Sequence, residues 1–305
     1  MREGVIYIVT QDPRYLDLLR VSVESLKRAM PAVSITVFSQ FPIQDQNFER
    51  VVLIHPASDG FYDKARLMLE SPYERTVFLD ADIYVAEAFP EIFALLDHFD
   101  CGATHEEYLS TDWFKNYERP DIPLSFPEFN TGVLAYRRSE AMRSTLLEWD
   151  RLYQCFLREH PGKAINDQPF FRAAAYFSSA RITALSREYN CKFRGQGYLN
   201  GPAKLLHGHV KFKMGPDYMQ RVVAVMNRSS RPRVYIAGKV FEQRISGRLW
   251  GRRKASRVGI FPEPFSITRL RLQRLKELYQ NQGILTIAMK LLSKPSQGST
   301  NPVRT

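Results

Sequence analysis

With 305 residues, 44% of them hydrophobic and 25% charged, the chain can bury a full core and belongs among soluble globular proteins rather than disordered or fibrous ones. Its formal charge of +11 is uneven: residues 240–305 carry 13 Lys or Arg against three acids, which leaves 30 basic and 29 acidic residues in the first 239, so the excess belongs to a tail and not to the fold. No window reaches the length of a membrane span, and three cysteines (Cys101, Cys155, Cys191) with no Cys-x-x-Cys spacing cannot form a fully paired framework, so they read as reduced thiols in a cytosolic setting.

Val5-Ile6-Tyr7-Ile8-Val9 is a continuous apolar run of strand length, as for a parallel strand buried on both faces, and too short for a signal peptide. After the polar turn Thr10-Gln11-Asp12-Pro13, apolar residues from Tyr15 to Leu26 recur at helical spacing, with Pro31 beyond the end. Ser34–Phe38 and Val51–Ile54 read as strands, and a helix after Asp63 ends before Pro72. Val77–Leu79 is a further buried strand. Phe89–Phe99 is expected to be helical, Asp100–Thr104 a strand, and 111–127 a loop without period. Phe129–Tyr136 is another strand, in which Gly132 permits close approach of a ligand or neighbouring backbone. Ser139–Phe156 is a long amphipathic helix, and Asn166-Asp167-Gln168-Pro169 opens the next. Short late strands are expected at Thr183–Leu185 and Leu205–Leu206. Alternating strands and helices predict a three-layer α/β sheet, whose ligands sit beyond the carboxyl ends of the strands. Thr10-Gln11 and Asp80-Ala81-Asp82 both fall at such ends.

Asp80 and Asp82 follow the apolar strand directly. In extended backbone, residues two apart share a face, so the two carboxylates are expected to converge, and a divalent cation would relieve their repulsion. The plainer alternative is that Asp80 caps a following helix while Asp82 is solvated. Far along the chain, Leu206-His207-Gly208-His209-Val210-Lys211-Phe212-Lys213 offers an imidazole as a third ligand and lysines for a phosphate, or simply a basic loop with exposed histidines. Asn130 could orient a sugar hydroxyl or satisfy local backbone. Asp167-Gln168 could act on a substrate or cap a helix.

Taken in order, Val9-Thr10 with Tyr15, Lys64 sixteen residues before Asp80, Phe78-Leu79-Asp80-Ala81-Asp82, Phe129-Asn130-Thr131-Gly132-Val133, Asp167-Gln168, Tyr189-Asn190, and His207 with Lys213 resemble the family 8 retaining glycosyltransferases. The resemblance runs from about Val5 to Lys213. It implies an α/β GT-A fold with a mixed, Rossmann-like sheet, and transfer of a hexose from a nucleotide sugar, UDP-linked, to a glycan or lipid-linked acceptor. By the same resemblance Asp80, Asp82 and His207 would hold Mn²⁺ or Mg²⁺, Thr10 and Tyr15 would contact the nucleoside, Lys64 the donor and Lys213 the diphosphate. Asn130, Asp167 and Gln168 would address the donor sugar. One departure stands out: Val210 occupies the family's Gly place and Met214-Gly215 its Pro-Trp. Two other readings are a catalytically idle scaffold and a related nucleotidyltransferase, although the latter needs a Gly-rich basic loop after the first strand, which Thr10-Gln11-Asp12-Pro13 is not.

The expected domain limits are 1–238 for the GT-A unit, 239–292 for a basic, partly helical extension, and 293–305 for a disordered end. Arg244, Arg248, Arg252, Arg253, Lys254 and Arg257, followed by the apolar stripe Ile267, Leu270, Leu275 and Leu278, suit an anionic membrane surface at the inner face. A helix packed on the main domain, or a nucleic-acid arm, would carry the same pattern. Residues 106–127 and 194–203 are expected to be acceptor-side loops.

Overall fold

The computed structural model describes residues 2–54, 62–107, 119–161, 166–208, 215–242 and 256–259. They build a central sheet of seven strands: β1 (Glu3–Val9), β2 (Ser34–Ser39), β3 (Arg50–Leu53), β4 (Arg75–Leu79), β6 (Cys101–His105), β7 (Phe129–Arg137) and β8 (Ile182–Ala184). The strand order is β3-β2-β1-β4-β7-β6-β8. β1, β2, β3 and β4 pair in parallel, and β7 runs antiparallel to both β4 and β6. The mixed α/β sheet expected above is therefore present. Because β7 is reversed, the start of β7 and the ends of β1, β4, β6 and β8 share one edge.

The apolar runs persist because both faces of the sheet are covered. Along β1, Val5, Tyr7 and Val9 enter one core while Ile6 enters the other. Val77 and Leu79 oppose Phe78 in the same way, as do Val133 and Ala135 against Leu134 and Tyr136. The first core is closed by α1 (Tyr15–Ala29) through Leu18, Leu19, Val23 and Leu26, and by α6 (Pro216–Met226) through Met219 and Val222. The second is closed by α2 (Tyr62–Met68), α4 (Glu140–Glu159) and α5 (Gln168–Tyr176). In α4 the Ser139 side chain accepts from the Met142 N–H, capping the helix, and Trp149, Tyr153 and Phe156 turn inward.

Several elements differ from expectation. The helix expected over Phe89–Phe99 is regular only as α3 (Glu91–Leu95), because the N–H groups of Asp97 and His98 bond three residues back and tighten its end. The short strand expected at Leu205–Leu206 is present as β10 (Leu205–His207), and it pairs with a further short strand, β5 (Ile83–Val85), as a separate antiparallel ribbon. A small antiparallel sheet has the order β13-β12-β11-β9, from β9 (Gln196–Leu199), β11 (Arg233–Ile236), β12 (Lys239–Glu242) and β13 (Ser256–Gly259). Residues 194–203 thus contain a strand, and the β11–β12 hairpin turns at Ala237-Gly238, where the domain limit was expected. The remaining tail residues lie outside the described ones, as do the strings of basic side chains discussed above. Among the described residues no helix is long and apolar enough to cross a membrane, and the three cysteines are free.

Candidate active site

Asp80 leaves β4 with its N–H donating to the Gly132 carbonyl at 2.8 Å, and the Ile83 N–H returns to the Asp80 carbonyl at 3.0 Å. Asp80-Ala81-Asp82-Ile83 is therefore a tight turn between β4 and β5. The two carboxylates converge because of this turn, which corrects the expectation that extended-strand alternation brings them together. No helix follows Asp80, so the capping alternative has nothing to cap.

The ribbon places the third group. In its register His207 faces Ile83, the residue after Asp82, and the Gly208 N–H donates to the Asp82 carbonyl at 3.2 Å. His207 Nε2 lies 3.6 Å from Asp82 Oδ1 and 4.0 Å from Asp80 Oδ2. One ligand atom from each of the three residues lies within 4.8 Å of the others. Gly132 lies against this cluster: a Cβ there would collide with His207 Cε1 and come 2.8 Å from Asp80 Oδ2.

The orientation of His207 is fixed by a chain of hydrogen bonds that begins at a backbone N–H. Gly132 N–H donates to Asn130 Oδ1 at 3.0 Å, so that oxygen is the acceptor for Asn190 Nδ2 at 2.8 Å. Asn190 Oδ1 then faces His207 Nδ1 at 2.8 Å, and the imidazole must donate from Nδ1. Its Nε2 lone pair is left toward the carboxylates, the arrangement of a metal-ligating histidine held by an outer partner. Two carboxylate oxygens and one imidazole nitrogen suit a divalent cation such as Mn²⁺. These residues fit the ion that the resemblance implies.

Lys64, buried, bridges from this cluster to the next. Its Nζ lies 3.2 Å from Asp80 Oδ1, 3.4 Å from Asp167 Oδ2 and 3.4 Å from Thr131 Oγ1. Burial alone would lower the ammonium pKa, but Asp167 and Asp80 together hold it up at about 12, so it is charged at neutral pH. Asp167 sits at the start of α5 without a side-chain cap bond; its carboxylate instead accepts from Thr131 Oγ1 at 2.9 Å. Burial and the charge of Asp80 raise its pKa, while Lys64 and the Thr131 bond oppose them. A cleft of about 220 Å³ is lined by Thr10, Tyr15, Lys64, Asp80, Asp82 and His207. At its rim Gln11 takes a left-handed backbone (φ 71°), a strained conformation for a residue with a side chain. Burial, with the negative field of Asp82 and Asp80, pushes up the phenol of Tyr15.

Asn130 and Gln168 belong to an adjoining buried network. Asn130 Nδ2 donates to Glu106 Oε2 at 2.8 Å and to Gln168 Oε1 at 3.0 Å, while Gln168 Nε2 donates to Glu128 Oε1 at 2.9 Å. The Asn130 oxygen also accepts from the Gly132 N–H, so the local-backbone reading of this residue holds. Lys192 Nζ pairs with Glu106 Oε1 at 2.8 Å. Burial pushes Glu106 upward, but the Lys192 charge and the hydrogen bonds from Lys192 and Asn130 outweigh it and hold the carboxyl at about 2. Glu106, Glu128 and Lys192 were not among the residues singled out from the sequence. The available signal was that Glu106 follows a strand at the ligand-bearing edge. Lys213, expected at a diphosphate, lies outside the described residues.

By fold and site, then, this is a mixed-sheet α/β protein whose sheet edge brings together Asp80, Asp82 and His207, three side chains that could hold a metal ion, beside an open cleft. No protein-family description matches the sequence, and no curated protein matches it. Among solved structures it is similar to the glycosyltransferase GlyE of Streptococcus pneumoniae TIGR4, at 15% identity over 63% of this chain and 47% of that one, with a TM-score of 0.43. The alignment thus spans about half the length of GlyE. It is similar to mouse xyloside xylosyltransferase 1 in its apo form, at 17% identity over 70% of this chain and 100% of that one, TM-score 0.47. A third similar structure is the galactosyltransferase LgtC with donor and acceptor sugar analogues, at 16% identity over 61% and 74%, TM-score 0.39. With identities this low and TM-scores below 0.5, what the chain does must be read from its own residues.

Proposed function

We propose that the protein is a metal-dependent glycosyltransferase of the family 8 kind, moving a hexose from a UDP-linked donor to a glycan or lipid-linked acceptor with retention at the anomeric carbon. The observation that carries this reading is the meeting of Asp80, Asp82 and His207 at a strand end, next to a cleft lined by Thr10, Tyr15 and Lys64. Asp80, Asp82 and His207 would hold Mn²⁺ or Mg²⁺, which supplies Lewis-acid stabilisation of a departing diphosphate. Thr10 and Tyr15, which line the same cleft, would contact the nucleoside. Lys64 supplies a fixed positive charge where negative charge grows, and needs no reorganisation to do so. Asp167, Asn130 and Gln168 would address the donor sugar, Asn130 by holding Gln168 and Asn190 in place.

In the reaction the bond from the anomeric carbon to the diphosphate oxygen breaks, and its electron pair leaves with the nucleoside diphosphate. The acceptor hydroxyl oxygen bonds to that carbon, and its proton passes to the released diphosphate. We assign this chemistry to residues 1–238, with a cytoplasmic setting, and keep peripheral membrane contact as the role of residues 239–292. The test is thermal shift with UDP, GDP and CMP sugars, with and without Mn²⁺, followed by transfer assays of Asp80→Asn and Asp82→Asn. Mn²⁺-dependent stabilisation by a UDP sugar, with transfer lost in both variants at unchanged fold, is expected. Stabilisation by no nucleotide, or full activity in either variant with Mn²⁺ restored after chelation, would overturn the reading.

A further inference from the structure

A second recess, of about 700 Å³, opens beyond the ends of β6 and β8, on the same sheet edge as the acidic pair. The order β4-β7-β6-β8 and a strand spacing of about 4.8 Å put it about 10–15 Å along that edge from Asp80. One wall carries His105, from the end of β6 directly before Glu106, and Arg187, just after β8. The other wall is the outer face of the small sheet. There Tyr198, Val234 and Ile236 stand 50%, 41% and 48% exposed, because strand alternation turns Arg233 and Tyr235 into the interior and leaves their neighbours outside. Val234 and Tyr198 are register partners, so they form one continuous apolar surface.

Three observations define the chemistry that fits this recess. An exposed phenol ring flanked by aliphatic side chains offers a flat surface to the CH face of a sugar ring, with a polar tip for its hydroxyls. Arg187 lines the recess and its guanidinium has no ion pair among the described residues; Nη1 is buried toward the interior, where its charge acts on Cys191 and Tyr235, which leaves the rest of the guanidinium for a ligand in the recess. A partly desolvated, uncompensated guanidinium favours a carboxylate or phosphate from outside. The one acid on the walls, Glu188, does not supply that partner: its Oε1 accepts from the N–H groups of Asn200 and Gly201.

We propose that this groove seats the acceptor, a saccharide chain carrying an anionic group, with Tyr198 stacking on a sugar ring and Arg187 pairing with the carboxylate or phosphate. The assignment to an acceptor rests on the glycosyltransferase reading, which places a reactive sugar in the neighbouring cleft. The full chain is tested for retention on immobilised maltooligosaccharide, its 6-phosphate and an oligogalacturonate, alongside Mn²⁺-dependent stabilisation by UDP. Retention of one or both acidic ligands at least ten-fold above the neutral one is expected. Arg187→Gln should remove that preference, Tyr198→Ala should weaken binding to all ligands, and Tyr198→Phe, which keeps the ring and loses only the hydroxyl, should retain most of the binding that Tyr198→Ala loses, which separates stacking from misfolding. All three variants should keep the UDP response. Retention of no glycan, equal retention of neutral and acidic ligands, or unchanged binding in Arg187→Gln and Tyr198→Ala overturns the proposal. Binding of an extended peptide in place of glycans overturns it as well. Loss of the UDP response in the wild type, with acidic-glycan binding intact, overturns the transferase reading and retains the anionic-glycan site.

Discussion

Asn190 Oδ1 lies 2.8 Å from His207 Nδ1, and the same amide donates to Asn130 at 2.8 Å, so one side chain joins the Asp80–Asp82–His207 cluster to the buried polar network. Asn190 is fully buried and its amide has no freedom to turn without breaking both bonds. Replacing it by Ala should release the imidazole and reduce Mn²⁺ affinity about 10–100-fold, the usual cost of losing an outer-sphere partner. Titration calorimetry on the folded variant checks this, and an unchanged affinity would show that His207 is held by something else.

Gly132→Ala tests the packing beneath the ligands. The added methyl meets His207 Cε1 and approaches Asp80 Oδ2 to 2.8 Å, so one of them must move. A destabilisation of about 1–3 kcal/mol is expected from overpacking. The Mn²⁺-dependent rise in Tm should fall with it, and a variant with normal metal response would mean that the cluster has slack.

Lys64→Met removes the cation shared by Asp80 and Asp167, at 3.2 and 3.4 Å. Leaving the buried Asp167 carboxylate without its cation costs about 3–5 kcal/mol. A divalent ion bound at Asp80 restores part of the missing charge, so Mn²⁺ should raise the stability of the variant more than that of the wild type. Urea denaturation with and without Mn²⁺ gives the two increments, which would be equal if Lys64 were incidental.

The Glu106–Lys192 pair gives a pH signature. A carboxyl held at about 2, against an ordinary 4.5, contributes stability that is fully present above about pH 4.5 and is lost as the pH falls toward 2. At about 1.4 kcal/mol per pH unit the contribution is about 3 kcal/mol. Lys192→Met should raise the Glu106 pKa and move the acid-unfolding midpoint upward. Stability curves between pH 2 and pH 7 decide the matter, and coincident midpoints would remove the pair from the account.

The central sheet was legible in the sequence because strands buried on both faces keep unbroken apolar runs, as in Val5–Val9, Val77–Leu79 and Phe129–Tyr136. Helices α1, α4 and α5 announced themselves by period and by Pro31, Ser139 and Pro169. The peripheral strands did not. β5 and β9 have three and four residues, too few to show a period, and Val234 and Ile236 alternate with an inward Arg233 whose guanidinium donates to the carbonyls of Met226 and Gly201. A buried arginine in a strand reads as surface until its partners are known. Glu106 and Glu128 were invisible for a similar reason: an acid at a strand end is ordinary until a lysine and two amides from other elements close around it.

Asp80-x-Asp82 after an apolar strand, and a histidine far later in the chain, were set by the residue types alone, since hard oxygen and imidazole donors are chemical properties that need no fold. Their meeting was not. Asp82 and His207 are more than a hundred residues apart, and what joins them is the β5–β10 register, together with the amide chain from Gly132 through Asn130 and Asn190 that turns Nε2 inward. Backbone pairing between distant short strands depends on which edges the packed cores leave facing each other, and that is a property of the assembled chain rather than of any stretch of it.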